Sequence, residues 1–455
     1  MPVSPARAAA FDILLRVERQ SSYSAELLHS AQYADLAHSD HALVTELVMG
    51  VLRWRSKLDE EIATTSSQPL AKLDIEILIA LRLALYQFRW LTRVPVRAAL
   101  HESVELVKRA RKRSAVPFVN AVLRKLSTRL QEHEVNSEEI YSSAETLAAA
   151  FSHPVWIVER WIREYGMPVA RQICSHNQSI PSTSIRLRTP DVQNDLVVEG
   201  LTLKSGALLS SARRVLAGDI SATQMFQKGR AVIQDEASQL VAALLGCADQ
   251  GRGCRILDCC AAPGGKTLAV ADLNPHSVIT ALEIHPHRAR LMKRLLLSDR
   301  TIHSAPIQVV IADARNLPIS VAFDRVLADV PCSGTGTLAR NPEIKWRLTA
   351  DDLEELHRRQ VEILRSALTK VAHGGSLVYS TCSLEREENE DVVETILAES
   401  SAFHLVDCRS ELDRLKANGE LCADAASLSR GPYLRTVPGV HPCDGFFAAI
   451  IERTL

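Results

Sequence analysis

The sequence of 455 residues lacks the features that mark several large classes of protein. None of its ten cysteines stands in a C-x-x-C spacing, which argues against a zinc ribbon and a disulfide framework. Free thiols indicate a reducing cytoplasm. No run of eighteen apolar residues occurs, so no membrane span is expected. Asp12, Arg16 and Glu18 interrupt the first apolar run, which argues against a signal peptide.

A large excess of one charge is also absent, because the formal net charge is only -1. The charges are nevertheless unevenly distributed: residues 1–130 hold 19 Lys and Arg against 13 Asp and Glu. A basic N-terminal part on a neutral chain indicates an anionic partner such as nucleic acid. The length predicts two or three domains.

Residues 1–130 show helical periodicity and no strand-like alternation, most clearly over 43–54, 75–88 and 98–107. They predict a compact all-helical domain. A basic cluster near the end of this region is a candidate for binding an RNA backbone, although such a run is also typical of a solvated helix face. The basic cluster consists of Lys108, Arg109, Arg111, Lys112, Arg113, Arg124 and Lys125.

The middle of the chain changes character twice. Residues 132–147 are polar and acidic and predict a linker. Residues 184–188 then alternate as a strand does, within a small α+β module. The domains are therefore expected at 1–138, 139–228 and 229–455.

After residue 233, apolar strands alternate with helices. Apolar strands of this kind predict a parallel sheet that is covered on both faces. The candidate strands are 255–258, 277–284, 307–312, 323–329 and 374–381, with a further strand at 446–451.

The stretch RILDCCAAPGGKT at 255–267 predicts a strand, a glycine turn and the start of a helix, which suits a nucleotide-like ligand. A phosphate-binding P-loop would need glycine where Cys260 stands, and a side chain there would crowd a triphosphate. A nucleoside site needs an acid about twenty positions further on, and Glu283 ends the next strand. A P-loop ATPase with Asp329 as its magnesium-binding acid, or a purely structural turn, remain alternatives.

Two cysteines follow strand ends in the same predicted sheet. Asp329 ends one strand and is followed by Pro331 and Cys332, and Cys382 ends the last parallel strand. Loops of this kind meet above the carboxyl edge of an open sheet. A single cysteine is most often a buried inert thiol, but two cysteines at successive strand ends favour a chemical role for these thiols.

These segments resemble those of RNA (cytosine-5)-methyltransferases that use S-adenosylmethionine. The resemblance rests on DCCAAPGGKT at 258–267, DVPCSGTGTLARNPE at 329–343, YSTCSLEREENE at 379–390 and DGFFAAIIER at 444–453. FVNAVLRK at 118–125 resembles the NusB-like RNA-binding domain. Together they resemble the RsmB/Sun/Fmu family, which methylates a cytosine of small-subunit (16S) ribosomal RNA. IRLRTP at 185–190 in the middle module departs from that family's Arg-Val-Asn run, so the resemblance assigns no RNA contacts to this module.

The resemblance implies an all-α NusB-like domain, a small α+β middle module and a Rossmann-like α/β methyltransferase domain that binds S-adenosylmethionine. It implies that Cys382 attacks cytosine C6, that Asp329 bonds the N3/N4 edge, and that Cys332 assists breakdown of the adduct, as a base or through a relay. Lys266 would meet the O2 or phosphate side. A thiolate at C6 makes C5 nucleophilic enough to take a methyl group.

The cofactor would lie across residues 260–266, with Glu283 at its ribose and Asp313 at its adenine. The full candidate set is Cys260, Ala261, Ala262, Pro263, Gly264, Gly265, Lys266, Glu283, Asp313 and Asp329. The expected partner is ribosomal RNA before full subunit assembly, bound by a monomer without metal or membrane. Transfer RNA as the substrate is one alternative. A non-catalytic RNA-binding or antitermination factor is the other, although intact Cys382, Cys332 and Asp329 argue against it.

Overall fold

The computed structural model describes residues 3–20, 22–33, 35–132, 141–246, 253–296 and 305–454. These residues form two compact units. The first contains Met1–Ile180 together with Leu338–Arg347, and the second contains Pro181–Thr337 together with Leu348–Leu455.

The first unit is helical, as its periodicity predicts. Its helices are α1 (Pro5–Gln20), α2 (Ser24–Leu28), α3 (His38–Arg53), α4 (Arg55–Thr65), α5 (Ile75–Trp90), α6 (Val96–Arg109), α7 (Val116–Glu132), α8 (Ala144–Ala150), α9 (Val155–Tyr165) and α10 (Met167–Gln178). Helix α5 is the centre of the core, because every residue from Ile77 to Gln87 is buried. A helix that is buried on all sides must be covered all round by other elements, and α3, α4, α6 and α7 supply much of that cover.

The predicted linker at 132–147 lies partly outside the described residues, and its last part is helical. Ser143 caps α8 by accepting a hydrogen bond from the Thr146 amide, and this local capping favours a helix over an extended linker. Helices α8 to α10 then pack with the first unit: Ser152 Oγ accepts from the Ser56 amide at 3.1 Å, and Gln178 Nε2 donates to the Arg53 carbonyl at 3.1 Å. The structure therefore divides the predicted 139–228 module after residue 180.

The second unit contains a small antiparallel sheet and a large mixed one. The strands are β1 (Thr183–Leu187), β2 (Thr202–Ser205), β3 (Ala212–Ala217), β4 (Ala231–Ile233), β5 (Arg255–Asp258), β6 (Val278–Glu283), β7 (Ile307–Ile311), β8 (Phe323–Asp329), β9 (Val371–Thr381), β10 (Phe403–Val406), β11 (Ser429–Arg430), β12 (Tyr433–Thr436) and β13 (Phe446–Arg453). The small sheet has the order β2-β3-β1-β4.

The remaining helices are α11 (Val192–Val198), α12 (Gln224–Gln227), α13 (Glu236–Leu244), α14 (Gly265–Leu273), α15 (Pro286–Leu296), α16 (Ile344–Arg347), α17 (Ala350–Leu368), α18 (Glu390–Glu399) and α19 (Cys408–Ala417). Of these, α16 lies in the first unit, within Leu338–Arg347. There Lys345 Nζ donates to the Arg53 carbonyl at 2.9 Å, and Glu343 accepts from the Ser24 amide at 2.8 Å. None of the helices in the described parts of the chain is long and apolar enough to cross a membrane.

The large sheet places the candidate residues on one edge. Strands β7, β6, β5, β8 and β9 are parallel neighbours in that order, and β13 joins β9 antiparallel. The chain leaves β5 toward β6 and β7 and later returns to its other side as β8 and β9, so the strand order reverses between β5 and β8. A ligand crevice is expected outside the carboxyl ends of the strands at such a reversal. The predicted α/β class is confirmed.

Candidate active site

The turn after β5 is held by its own buried carboxylate. Asp258 Oδ2 accepts from Thr267 Oγ1 at 2.7 Å, and Oδ1 accepts from the Cys260 amide at 3.3 Å. Burial raises the pKa of Asp258 to about 7. Gly264 has φ +108°, and a Cβ there would lie 2.8 Å from Met292 Cγ, so both the backbone and the packing require glycine. Asp258 and Gly264 therefore shape the turn.

A half-buried ion pair joins this turn to the end of β8. Lys266 Nζ lies 2.8 Å from Asp329 Oδ2, and Ser380 Oγ donates to Asp329 Oδ1 at 2.8 Å. Burial acts to lower the pKa of Lys266, but the charge of Asp329, its hydrogen bond and the nearby Cys382 and Asp258 together hold the pKa above its usual value. The two contacts fix the carboxylate of Asp329 from both sides.

The two thiols predicted to converge lie side by side. Cys332 Sγ is 3.1 Å from Cys382 Sγ, and the Cys382 amide donates to Cys332 Sγ at 3.3 Å. The Gly336 amide donates to the Cys382 carbonyl at 2.9 Å, which holds the two loops together. The hydrogen bond to Cys382 and burial raise the pKa of Cys332. The two loops thus hold the sulfur atoms within contact distance of each other.

A cavity of about 530 Å³ opens beside these groups. Its volume falls in the usual range for small-molecule sites. The sequence-predicted residues in its wall are Cys260, Ala262, Glu283, Asp313, Asp329, Cys332 and Cys382. The structure thus brings the two thiols, the carboxylate of Asp329 and the acids expected at the ribose and the adenine to one cavity.

Other predicted cofactor residues lie behind that wall. Ala261, Gly264 and Gly265 are not among the described residues that line the cavity, and neither are Pro263 and Lys266. Lys266 acts on the cavity through its ion pair with Asp329. These residues form the turn that carries Cys260 and Ala262 into the wall.

Three arginines in the wall were not predicted from the sequence: Arg288, Arg315 and Arg359. Arg315 Nη2 lies 2.7 Å from Asp313 Oδ2 and lowers the pKa of that carboxyl. Arg288 lies five residues after Glu283, at the end of the segment ALEIHPHR at 281–288, so its place after that strand was the available signal. Arg359 is on the long amphipathic helix α17, where nothing local separates it from the other surface charges.

The basic cluster of the first unit falls into two groups. Lys108 pairs with Glu105 at 2.6 Å, Arg109 with Asp12 at 2.7 Å, and Lys112 with Asp74 at 2.9 Å. Within the described part of the chain, no carboxylate partner is seen for Arg111, Arg113, Arg124 and Lys125, and all four are exposed. An outside anion can therefore bind the second group without first breaking an ion pair to a carboxylate of the described residues.

Comparison with known proteins identifies both parts of the chain. The family described as 16S rRNA methyltransferase RsmB/F matches residues 244–452, and the NusB family matches residues 4–128. A relative from Bacillus subtilis (strain 168), "Probable ribosomal RNA small subunit methyltransferase B", is 33% identical and the match covers 100% of both chains.

Two solved structures share the fold. The crystal structure of PH0851 has a TM-score of 0.78 and 22% identity, and the match covers 100% of both chains. NSun6 from Pyrococcus horikoshii, solved with SFG, has a TM-score of 0.56 and 20% identity, over 66% of this chain and 98% of that one. These likenesses agree with the observed fold.

Proposed function

Since this chain belongs to the RsmB/F family of 16S rRNA methyltransferases, we propose that it methylates C5 of a cytosine in small-subunit ribosomal RNA with S-adenosylmethionine. The observation that carries the proposal is the pair of thiols, 3.1 Å apart, at the wall of a cavity shared with Asp329. Two adjacent thiols beside a fixed carboxylate suit a reaction that must both form and break a sulfur–carbon bond.

The chemistry requires activation because cytosine C5 is a weak nucleophile. The Cys382 thiolate adds to C6, and the ring takes up a proton at N3, so that C5 becomes an enamine carbon. C5 then takes the methyl group and carries both that group and its original hydrogen. Removal of the C5 proton, which we assign to Cys332 directly or through a relay after that thiol has released its own proton, expels the Cys382 thiolate. Loss of the proton gained at N3 then restores the neutral ring.

Asp329 is the group best placed to hold the base. Its carboxylate is fixed by Lys266 and Ser380 and lies in the cavity wall. An oxygen held in this way can accept a hydrogen bond from the cytosine N4 amino group and stabilise the proton gained at N3. Lys266 holds that carboxylate in place through the ion pair, and it is the candidate for the O2 side of the base.

The residues present fit S-adenosylmethionine. The cavity has the volume of a small-molecule site, and Glu283, which is only 5% exposed, presents a carboxylate at its wall to accept from ribose hydroxyls. Asp313 stands on the adenine side, with Arg315 as its present partner. NSun6 was solved with SFG, an analogue of the same cofactor. When bound, the cofactor supplies the methyl group.

Glu283→Ala is expected to weaken S-adenosylmethionine binding by about 1–3 kcal/mol, because the ribose hydroxyls lose a charged acceptor. Titration calorimetry on the full chain measures it. Glu354→Ala, which removes an exposed carboxylate on α17, is the matched control and should bind as the wild type does. Equal affinity in both variants would remove Glu283 from the site.

The two groups of basic residues give a matched test of RNA binding. Replacement of Arg111, Arg113 and Arg124 by Ala should weaken RNA binding and reduce the log–log salt slope by up to about 2, since each phosphate contact to a single strand contributes about 0.7. Replacement of the ion-paired Lys108, Arg109 and Lys112 should have a smaller effect. Fluorescence anisotropy at several salt concentrations measures both slopes.

Equal slopes for the wild type and the Arg111, Arg113 and Arg124 variant would show that this face is only solvated. Cofactor affinity should be unchanged in both triple variants, which separates RNA binding from damage to the fold.

Bisulfite sequencing of RNA from a deletion strain tests the proposed substrate. One cytosine of 16S ribosomal RNA should lose its protection and regain it when the wild-type gene is restored. The target must leave its stack to reach Cys382, so we expect it in a loop or another accessible region. Loss of protection in transfer RNA instead would show that transfer RNA is the substrate, and the proposed chemistry would remain unchanged.

A further inference from the structure

A buried carboxylate stands behind the thiol pair. Glu388 is 0% exposed. Its Oε1 accepts from the Ser333 amide at 2.8 Å and from Gln360 Nε2 at 2.9 Å. Its Oε2 accepts from the hydroxyls of Ser333 and Ser383. A buried carboxylate needs such a set of donors to replace its lost hydration, and here four are supplied.

These donors come from the two loops that carry the thiols. Ser333 directly follows Cys332, and Ser383 directly follows Cys382. Gln360, on α17, also donates to the Pro331 carbonyl at 2.9 Å, so it ties Glu388 to the start of the first loop. One carboxylate thus anchors both loops and thereby sets the 3.1 Å approach of the two sulfur atoms.

The charges around the pair are arranged asymmetrically. The hydrogen bond to Cys382 and burial raise the pKa of Cys332 most, and the Glu388 charge raises it further. Lys266 faces Cys382, and the interaction between them contributes to the raised pKa of Lys266. The negative charge of Glu388 therefore favours the protonated thiol of Cys332.

Other titratable groups face the same site from the neighbouring elements: Asp258 from β5, Cys260 from the glycine turn, Asp329 from β8, Tyr379 from β9 and Arg359 from α17. Asp329 is neutralised by its ion pair with Lys266. Tyr379 donates to the Glu388 carbonyl at 2.6 Å, and its own pKa is raised by burial, so it stays neutral. Arg359 belongs to the exposed rim of the cavity.

We infer that Glu388 is a positioning residue that fixes the spacing of the two cysteine loops and holds Cys332 in its protonated form while Cys382 attacks. The inference rests on the proposed function, because it concerns the two thiols of that reaction. It explains how two sulfur atoms within contact distance take different roles. Glu388 does so without touching the substrate, since it is fully buried.

Alkylation of the full-length chain by iodoacetamide, without RNA or cofactor, tests the inference. Only the thiolate reacts, so the rate as a function of pH reports the ionisation of each thiol. Trypsin releases Cys332 and Cys382 in separate peptides, 326–340 and 371–386, each with a single cysteine. Mass spectrometry therefore follows the two thiols separately in one sample.

Glu388→Gln removes the charge and keeps nearly the same shape. Its Cys332 should be alkylated severalfold faster at pH 8, with the midpoint of its pH profile moved down by about half a unit or more. Glu387→Gln removes the same charge one residue earlier, outside the set of bonds described for Glu388, and should leave the Cys332 profile as in the wild type. A Cys332 profile that Glu388→Gln does not change would overturn the inference.

Glu388→Asp and Ser383→Ala separate the charge from the geometry. Both keep a carboxylate and disturb its bonds, so both should lower the methylation kcat while Cys332 stays slow to alkylate. Cys332 reacting faster in the Asp variant would contradict the inference even where the Gln variant fails to fold. Because no RNA is present in the alkylation, its outcome holds independently of whether the chain methylates cytosine.

Discussion

Cys382→Ala is expected to reduce methyl transfer by roughly a thousandfold or more, since loss of a nucleophile removes the covalent route entirely. Without a sulfur atom at C6, C5 never becomes an enamine carbon, and no step after it can proceed. The variant should still bind S-adenosylmethionine and RNA, because neither needs the thiol. Incorporation of a labelled methyl group into substrate RNA measures the loss.

The control for this variant is Cys408→Ala. Cys408 is a fully buried thiol on α19, where burial raises its pKa to about 11, so it should be inert. Full activity in Cys382→Ala would remove the covalent mechanism from the proposal. Equal loss in Cys408→Ala would show that the effect comes from damage to the fold.

Cys332→Ala is expected to stop the reaction at a later point. Addition at C6 and methyl transfer need only Cys382, whereas release needs the C5 proton removed. The variant should therefore methylate once and remain joined to its RNA, so that steady-state turnover is lost while a covalent complex accumulates. Denaturing electrophoresis with substrate RNA and S-adenosylmethionine should show a slowly migrating band.

The band should be absent from Cys382→Ala and from the double variant. A band in Cys382→Ala and none in Cys332→Ala would exchange the roles of the two thiols. A band in neither single variant would leave both cysteines as structural thiols.

Strand positions in the methyltransferase part follow from local sequence. The predicted strands 255–258 and 323–329 agree with β5 and β8 at both ends, because an apolar run is followed each time by an acid and a turn. Strand β9 begins three residues earlier than predicted, at Val371, since Gly374 and Gly375 interrupt the apolar pattern without ending the strand.

The sequence did not predict which segments that are distant along the chain would come into contact. Leu338–Arg347 continues directly from the loop that holds Cys332, so the chain order assigned it to the second part of the molecule. Its contacts are instead with the helical unit, where Trp346 Nε1 donates to the Leu52 carbonyl at 2.6 Å. No local pattern identifies the partner of a segment that is distant in sequence.

In the candidate site too, some residues could be predicted from the sequence and others could not. Asp329, Cys332 and Cys382 could be predicted because unusual residues at the ends of parallel strands must meet at one edge. Glu388 could not, because the run EREENE has the composition of a solvated surface. Only the tertiary structure shows that Glu388 is buried and meets four donors.

Digestion of the covalent complex of Cys332→Ala with ribonuclease and trypsin, followed by mass spectrometry, identifies the sulfur atom that holds the base. The mechanism predicts a methylated cytidine on the peptide 371–386, attached through Cys382. The matching peptide that carries position 332 should be unmodified. A methylated nucleotide attached to any residue other than Cys382 would contradict the mechanism.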